Sequence, residues 1–504
     1  MTIAILKSPQ ADKQRKYNQV EFVAASHGVR VAAYVCGEGK GTFRGLPLVS
    51  PSDLQALGVE MVVAVTPLLP GHVEPFINGG WPVMRMLSLA TQGAEIRARW
   101  NVANGGLAAR RPTLTGNELT PRVQYTPVDG VAVGDQPPAL APEQLRAITE
   151  TVFAAYRRAV ADAPTSGSYA VGRNWGSFLK MSRPTFYNAA KSGDVETIDR
   201  LLANCLRNEL TSGTFGGDAG YNDYVQAGRN VLKGLRDQHH IWQYCVKNPD
   251  MARVVSPAVG NPFGVKVGAG VVHPNTFLND SRAQYIGGLL GKVERPIMLD
   301  LGGGFGGLGH QLLANHPGIV YMDFDLPENL LVASYFLMAA HPDKRVLLYE
   351  SREQVLDAET LREYDFVMMP NFMLPRVADR AVNLFTNFIS LSEMDYASIV
   401  EYLRQADRVS DGYVYQENLL DNGENYEFYP VSVFPDLPHF TMVWSAPSRW
   451  PVFSPASPSH CHGEFLYARH DLDVARYLAG QAEPRYAPGE RLDQARPVAA
   501  YAVA

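Results

Sequence analysis

The chain has 504 residues, of which 46% are hydrophobic and 19% charged, and its formal net charge is −6. This composition is typical of a globular protein with sizeable cores, and the length suits about three domains. The negative charge excludes a general electrostatic attraction to nucleic acid or to an anionic membrane. No apolar run approaches the ~20 residues that a transmembrane helix needs.

Residues 1–92 are predicted to form a small α/β accessory domain. Apolar, strand-like runs lie at Val29–Val35, Glu60–Val65 and Trp81–Leu87, and a capped helical pattern lies at Ser52–Leu57. Continuous apolar strands separated by helices indicate a parallel sheet. The role of this domain stays open between an assembly module and a substrate-side module.

The first residues of the chain and its cysteines indicate the cellular compartment. Met1–Ser8 has no basic region before a long apolar segment, so a signal peptide is not expected. Cys36, Cys205, Cys245 and Cys461 are scattered, without a C-x-x-C pair. They fit reduced thiols in a cytoplasmic protein better than disulfides or a zinc site.

Residues 93–141 and 142–259 differ in pattern. The first stretch contains many prolines and glycines and is predicted to be a linker or an irregular arm. Helical patterns dominate the second, which is predicted to be a helical cap with helices over 142–161, 194–210 and 221–244. Its aromatic side chains either stack on a sugar or aromatic acceptor or pack in the core of the cap. They are Tyr221, Tyr224, Trp242 and Tyr244.

The run Pro296–Gly307 carries the strongest signal, within a domain predicted at 260–480. It indicates an apolar strand that ends at Asp300, a glycine-rich turn, and a helix over Leu308–Asn315. Glycines let the backbone approach an adenosine-containing cofactor, and free N–H groups at the helix start favour a carboxylate or phosphate. Five glycines in six positions cost too much backbone entropy to be explained by packing alone, so a ligand is expected. Residues 481–504 are predicted to be a loose tail.

Two cofactors fit this turn. Gly302, Gly304 and Gly307 satisfy the G-x-G-x-x-G spacing of a dinucleotide site, and Asp325 supplies the acid expected at the end of the second strand. A dinucleotide and S-adenosylmethionine both carry an adenosine ribose, so Asp325 does not separate them. Asp300 favours S-adenosylmethionine, because a carboxylate beside the turn would repel a pyrophosphate but could help to hold the ammonium of the methyl donor.

Further strands are predicted at Arg345–Tyr349, Tyr364–Met369 and Gly412–Glu417. A helix is predicted over Ser392–Arg408, and Phe440–Trp444 and Glu464–Arg469 suit an antiparallel closing pair. Five parallel strands with right-handed crossovers and a terminal hairpin predict the doubly wound, Rossmann-like α/β sheet of class I methyltransferases. Dehydrogenase sheets usually end in another parallel strand, so the hairpin also favours the methyl donor.

Several short motifs resemble those of a family of sugar O-methyltransferases. Leu299–Gly307 is similar to the first motif of that family. Asp323–Glu328 is similar to its acidic loop and to the Asp-Leu-Pro loop of plant-type small-molecule O-methyltransferases. Further similarity lies at Tyr335–Leu337, at Ser392–Met394 followed by Tyr402–Leu403, and at Gln416–Asn418. The resemblance covers roughly residues 260–469. It implies S-adenosylmethionine-dependent methylation of a sugar or another hydroxylated small molecule, in secondary-metabolite or glycan biosynthesis.

The strand ends and this resemblance predict the residues that hold the cofactor. Asp325 is expected to accept hydrogen bonds from both ribose hydroxyls, with an N-cap for the next helix as the alternative. Leu326 would pack on the adenine, and Asp300 would orient the methionine ammonium. Tyr285 would reach the methionine carboxylate from the preceding helix, unless it is a core residue. The whole predicted set is Asp300, Gly302, Gly303, Gly304, Gly306, Asp325, Leu326, Tyr285 and Asn371.

Methyl transfer to a hydroxyl also needs a base. The sulfonium is already reactive, so the protein must align donor and acceptor and take a proton from the acceptor. Glu393 is the first candidate, because the segment after the fourth strand is expected to open toward the donor methyl. His273 and His240 are the others, and for each of the three a packed or surface position is the alternative. The run His460–His462 has no spaced partner, so no metal site is predicted.

Other functions stay open from the sequence. Methylation of nitrogen or of a carboxylate would use the same cofactor, whereas a nicotinamide oxidoreductase would use the same turn. A non-enzymatic cofactor sensor or scaffold is a third class. The expected partner is a small-molecule acceptor, without nucleic acid or membrane, and self-association stays open.

Overall fold

The computed structural model describes the main elements of the chain. The described residues are 1–7, 29–36, 39–64, 75–78, 86–88, 130–227, 249–291, 293–421, 428–431, 434–447 and 461–470, with the single residues 17, 24, 81, 235, 238, 239, 242 and 246. Within these ranges they form three β-sheets and the helices that pack on them. The predicted tail at 481–504 lies outside the described residues, as does the predicted linker up to residue 129.

An N-terminal sheet forms from six described strands. They are β1 (Thr2–Leu6), β2 (Arg30–Val35), β3 (Thr42–Phe43), β4 (Leu46–Val49), β5 (Met61–Ala64) and β6 (Met86–Ser88), in the order β3-β4-β2-β1-β5-β6. All pairs are parallel except β3 with β4, so the predicted parallel sheet is confirmed. The sequence missed its central strand, β1. A 3-10 turn at Pro51–Asp53 replaces the helix expected over Ser52–Leu57.

Five helices occupy the described part of the region predicted as a cap. They are α1 (Pro142–Asp162), α2 (Arg173–Ser182), α3 (Pro184–Ser192), α4 (Val195–Ala203) and α5 (Gly217–Ala227). Proline opens α1 and α3, where its missing N–H is no loss. Asp194 caps α4 by accepting a hydrogen bond from the Thr197 backbone N–H at 3.1 Å. The helix expected over 194–210 ends early, because 3-10 turns follow at Cys205–Arg207 and Glu209–Thr211.

A small sheet joins the cap to the next helix. Its strands are β7 (Gly130–Ala132), β8 (Gly264–Val267) and β9 (Gly270–Val272), and helix α6 (Pro274–Leu290) follows. Strand β7 comes from the stretch predicted as a linker, yet it pairs antiparallel with β8. Residues 130–132 are therefore tied to the main body. The predicted division of the chain into five units stays a prediction.

The large sheet has eight described strands. They are β10 (Ile297–Leu301), β11 (Val320–Asp325), β12 (Val346–Leu348), β13 (Phe366–Pro370), β14 (Val382–Phe388), β15 (Ser410–Asp421), β16 (Phe440–Pro447) and β17 (Cys461–Arg469). Helices α7 (Gly307–Asn315), α8 (Pro327–Ala340), α9 (Ala358–Leu361) and α10 (Tyr396–Val409) connect them. The order is β12-β13-β11-β10-β14-β15-β17-β16. Strands β10 to β15 are parallel, and β17 pairs antiparallel with both β15 and β16.

The prediction of five parallel strands is wrong by one strand. Strand β14, which the sequence did not indicate, lies between β10 and β15. Strand β13, which is the fourth strand of this sheet along the chain, lies beside β11. Asn383, Thr386 and Asn387 interrupt the apolar run of β14 and hide it from a search for buried strands. These polar groups are used inside the sheet: Asn387 donates to the Leu301 carbonyl at 2.7 Å.

Alternate residues of the parallel strands enter two different cores. Ile297 and Leu299 pack in the cluster that includes Ile399 and Leu403 of α10, whereas Met298 packs with Leu312 of α7 and with residues of α8. Helices thus cover both faces, which makes the sheet doubly wound. The antiparallel strands β16 and β17 form one end of this sheet. Among the described residues, no helix combines the length and apolar character that crossing a membrane requires.

Candidate functional site

A cavity of about 560 Å³ opens where the central parallel strands end. Its floor is formed by the turn after β10, the end of β11 and the segment after β14, which is where open α/β sheets bind ligands. Helix α6 and two segments of the cap, at 168–175 and 213–216, complete the walls. The volume lies within the ~300–1,000 Å³ range of small-molecule sites.

The glycine turn directs its N–H groups into the protein. The Gly302 N–H donates to the Phe324 carbonyl at 2.9 Å. The Gly303 N–H donates to Asp323 Oδ1 at 3.0 Å, and the Gly304 N–H donates to Asp325 Oδ2 at 3.1 Å. These N–H groups are therefore already bonded to the neighbouring strand and its carboxylates.

Packing explains most of the glycines. Gly302 and Gly304 have φ of +81° and +67°, a region that glycine adopts without strain. A Cβ on Gly303 would lie 2.5 Å from Tyr321 Oη, and a Cβ on Gly302 would lie 2.4 Å from Ser390 Oγ. Close packing therefore accounts for several of these glycines, and the expectation that it cannot account for all five stays a prediction.

Helix α7 starts directly beyond the turn, as predicted. Gly306, with φ of +89°, occupies its N-cap, and its N–H donates to the Gly303 carbonyl at 3.3 Å. Gly306 does not line the cavity, whereas Gly307 and Leu308 of the first helical turn do.

Asp325 lies at the cavity edge and is held by three donors. Its Oδ1 accepts from the Leu326 N–H at 2.6 Å and from Asn329 Nδ2 at 3.0 Å, while Oδ2 accepts from Gly304. Oδ2 has room for a further donor from the cavity. Burial raises the pKa of Asp325, although these hydrogen bonds oppose the rise. Leu326, and not Asp325, is the N-cap of α8, and Leu326 also lines the cavity.

Two further carboxylates lie beside Asp325. Asp300 and Asp323 are register partners on β10 and β11, and both are buried. Asp300 lines the cavity and accepts from Thr386 Oγ1 at 2.8 Å and from Tyr321 Oη at 3.2 Å. Burial raises the pKa of Asp300 to about 6. Burial and the nearby charges of Asp325 and Asp300 raise the pKa of Asp323 well above its usual range. The strand ends therefore place three acidic side chains under the turn, and burial raises the pKa of each.

Helix α6 contributes a cation to the cavity wall. Arg282 lines the cavity and forms a buried ion pair with Glu417, and its guanidinium lies 4.1 Å from the centroid of the Phe388 ring. Its Nε has no hydrogen-bond partner among the described residues. Tyr285, one helical turn further on, lies outside the cavity lining and packs on Tyr415. The sequence prediction named a residue of this cavity-lining helix and did not include Arg282, the only basic residue of that helix.

Glu393 lies at the other side of the cavity. It ends the 3-10 turn Ser390–Glu393 after β14, and its Oε2 accepts from Trp175 Nε1 of helix α2 at 2.9 Å. Burial raises the pKa of Glu393 to about 7, and the bond from Trp175 opposes the rise. Such a carboxyl changes its protonation state near neutral pH, which suits a general base. Nothing in the sequence pointed to Trp175, which is 218 positions away.

The backbone between β14 and this turn is strained. Ile389 has φ of +76° and ψ of −32°, in a region that β-branched residues rarely adopt. Its N–H donates to the Glu417 carbonyl at 2.6 Å, and the residue lines the cavity. Strain of this kind persists where the surroundings hold it, and it occurs often at functional sites.

The remaining predicted residues lie in different places. Asn371 lines the cavity, and its Nδ2 donates to Tyr402 Oη at 2.8 Å and to the Tyr169 carbonyl at 3.0 Å. His273 is buried outside the lining and caps α6 by accepting from the Asn275 N–H at 3.2 Å. Burial lowers the pKa of His273 to about 3. His240 lies outside the described residues.

The aromatic group of the cap is only partly described. Tyr221 and Tyr224 pack edge-on against Phe263, and Trp242 is fully buried beside Phe277. The described members of the group therefore serve core packing, and Tyr244 lies outside the described residues. In the part of the chain that the structure describes, no group of three or more metal-ligating side chains is found.

Comparison with known proteins finds similarity only at the level of structure. No protein-family model and no curated protein matches the chain. TrmN of Thermus thermophilus is 16% identical with a TM-score of 0.27, over 41% of this chain and 56% of TrmN. Magnesium protoporphyrin IX methyltransferase of Synechocystis PCC 6803, with bound S-adenosylmethionine, is 10% identical with a TM-score of 0.25, over 38% and 78%. The N-terminal domain of EvdMO1, in the presence of S-adenosylhomocysteine and D-fucose, is 12% identical with a TM-score of 0.25, over 38% and 82%.

Similarity of this extent assigns no activity. The match with TrmN spans little more than half of that protein. Strand order, glycine turn and strand-end acids define a class I, Rossmann-like α/β protein. Its cofactor and its reaction have to be inferred from the residues around the cavity.

Proposed function

We propose that the chain is an S-adenosylmethionine-dependent O-methyltransferase that acts on a sugar or another hydroxylated small molecule. The observation that carries this proposal is the direction of the glycine turn. The N–H groups of Gly303 and Gly304, which a dinucleotide site would offer to a pyrophosphate, donate instead to Asp323 and Asp325. A pyrophosphate would meet the acidic side chains of Asp300 and Asp325 there, whereas a sulfonium nucleoside brings positive charge.

The nucleoside end of the cofactor fits the end of β11. Asp325 Oδ2 has free acceptor capacity for the ribose hydroxyls. Leu326 offers an apolar surface to the adenine, and Asn371 lies beyond it on the same wall. The carboxylate is fixed by Asn329 and two backbone N–H groups, so little order has to be created on binding.

The methionine end fits between β10 and α6. Asp300 can accept from the cofactor's ammonium, while the guanidinium of Arg282 supplies positive charge to this part of the wall for the carboxylate. A zwitterion needs one group of each sign, and this part of the wall supplies both. Tyr285, the residue predicted for the carboxylate, stays outside this part of the wall.

The acceptor end is polar and holds the proposed base. The polar residues Ser168, Asn275, Asp395 and Ser398 line the cavity together with Glu393, which suits an acceptor with several hydroxyls. Glu393 would take the proton of the acceptor hydroxyl as the methyl group moves from sulfur to oxygen. The donor needs no covalent activation, so alignment and this proton transfer are the tasks left to the protein.

Calorimetric titration of the purified chain separates the two cofactors. S-adenosylhomocysteine should bind and NADH should not; the opposite result would move the chain to the oxidoreductases. Turnover with labelled S-adenosylmethionine on free sugars and glycosides then tests the acceptor class. A methylated nitrogen or carboxylate in the product would replace the O-methyl assignment. Binding without turnover on any acceptor would favour a cofactor sensor.

The cellular setting belongs to the same proposal. We propose a cytoplasmic protein with a small-molecule acceptor and no nucleic-acid partner. Cys36 and Cys205 are free, as reduced thiols would be, and the net charge of −6 disfavours polyanions.

A further inference from the structure

Arg183 occupies the break between helices α2 and α3. Proline disfavours the helical region for the residue before it, and Arg183, which precedes Pro184, has φ of −127° and ψ of 49°. Its side chain is fully buried, although a guanidinium keeps its charge in proteins. Burying this charge costs free energy, so a specific role for Arg183 is expected.

Hydrogen bonds connect Arg183 to the proposed ribose site. Its Nη2 donates to the Ser212 carbonyl at 3.0 Å and to Asn329 Oδ1 at 3.0 Å. Asn329 Nδ2 in turn donates to Asp325 Oδ1 at 3.0 Å. On the cap side, Ser212 precedes Gly213 and Thr214, which line the cavity. One side chain thus joins the cap loop to the strand-end carboxylate.

Stability alone does not explain this arrangement. The Nε and Nη1 atoms of Arg183 are buried and have no hydrogen-bond partner among the described residues. Buried, incompletely paired polar groups cost free energy, and replacing a buried charge by an apolar side chain of similar size is often neutral or stabilising. The cation interacts with the charges of Glu328, Asp325 and Glu209, and its hydrogen bond holds Asn329.

We propose that Arg183 is a positioning residue that couples docking of the cap loop at 209–216 to cofactor binding, through Asn329 and Asp325. The inference rests on the proposed function, because it takes the cofactor's ribose as the ligand of Asp325. Arg183 does not line the cavity, so it acts only through its neighbours.

The charged groups around Asp325 predict a pH dependence of cofactor binding that would identify this role. The titratable groups that interact with Asp325 are Asp300 and Tyr321, Asp323, Tyr402 and Arg183. Burial raises the pKa of Asp325 and Arg183 opposes the rise. Without the cation the pKa of Asp325 rises further, so the carboxylate that accepts from the ribose is lost at a higher pH.

Calorimetry of Arg183→Met with S-adenosylhomocysteine between pH 6 and pH 8 tests the inference. Affinity should fall about tenfold at pH 8 and should fall further than that of the unchanged protein as the pH is lowered. Arg183→Lys retains the charge without the planar fork and should restore the pH profile more than the affinity. Arg158→Met is the matched control, since this cap arginine bonds the Tyr349 carbonyl and does not line the cavity.

Hydrogen exchange supplies the second readout. Addition of S-adenosylhomocysteine should slow amide exchange over residues 209–216 in the unchanged protein and not in Arg183→Met. If that variant does not fold, Asn329→Ala breaks the same connection and should show the same two changes. A folded variant with unchanged affinity, pH profile and exchange overturns the inference and leaves the proposed function intact. Failure of the unchanged protein to bind S-adenosylhomocysteine overturns the proposed function itself.

Discussion

The two ends of the cavity are built from the chain in different ways. The cofactor end comes mainly from one stretch, because Asp300, the glycine turn, Asp325 and Leu326 lie within 27 positions of one another. The acceptor end joins Trp175 of the cap to Glu393 after β14, which are 218 positions apart. The first end therefore resembles a motif, whereas the second exists only after folding. The sequence can therefore indicate the residues of the proposed cofactor end, whereas the pair at the proposed acceptor end is known only from the structure.

The largest expected effect is a loss of turnover caused by a change at the acceptor end alone. Glu393→Gln keeps an oxygen that can accept from Trp175 and loses the base. We expect turnover to fall about 10²- to 10⁴-fold, with affinity for S-adenosylhomocysteine unchanged. Single-turnover rates and calorimetry measure the two quantities. Equal turnover in the variant would exclude Glu393 as the base.

The pH profile sharpens the same prediction. Since burial raises the pKa of Glu393 to about 7, the base is ionised above that pH, and kcat should fall as the pH is lowered through it. This limb of the profile should be absent in Glu393→Gln. A profile that is flat between pH 6 and pH 8 in the unchanged protein would contradict the assignment.

Asp325→Ala breaks the cofactor end. The ribose loses hydrogen bonds to a charged acceptor, each worth roughly 1.5–3 kcal/mol, so affinity for S-adenosylhomocysteine should fall about 100-fold. Asp365→Ala is the matched control: this acid accepts from the Arg345 N–H before the start of β13 and does not line the cavity, and its removal should leave affinity unchanged. Equal losses in both variants would point to a general charge effect rather than to ribose binding.

Arg282→Lys separates the contribution of the methionine portion to cofactor binding from that of the nucleoside portion. Lysine keeps the charge and loses the planar fork, so affinity for S-adenosylhomocysteine should fall about tenfold. Methylthioadenosine lacks the amino-acid portion, and its affinity should stay the same in the variant. Parallel titrations with the two ligands measure the difference. A loss shared by both would place Arg282 away from the methionine carboxylate.

The smallest expected effect concerns stability. A carboxyl whose pKa is raised in the folded protein stabilises the fold fully below its unfolded pKa, and this contribution is lost as the pH rises to about 7. Glu393→Gln removes this dependence. Its Tm should exceed that of the unchanged protein by about 2 °C at pH 8, and the difference should narrow toward pH 4.5. A constant difference across this range would mean that Glu393 does not titrate there.

Prediction from sequence succeeded where local pattern and tertiary role coincide. The strand that ends at Asp300, the turn, and helix α7 have the predicted bounds within two residues. It failed at β14, whose polar residues Asn383, Thr386 and Asn387 look like loop residues until their partners on β10 are known. It also chose Tyr285 over Arg282, because spacing along a helix does not show which face meets the cavity.

The sequence by itself determined the glycine turn, the strand-end acids and the alternation of strands and helices, since these depend on neighbours along the chain. Only the tertiary structure decided that the N–H groups of the turn are satisfied by Asp323 and Asp325. It also decided that Trp175 bonds Glu393, that Arg183 bonds Asn329, and that Arg282 lines the cavity. Contacts between distant segments follow from how the cores close, and no local pattern encodes which side chains they bring together.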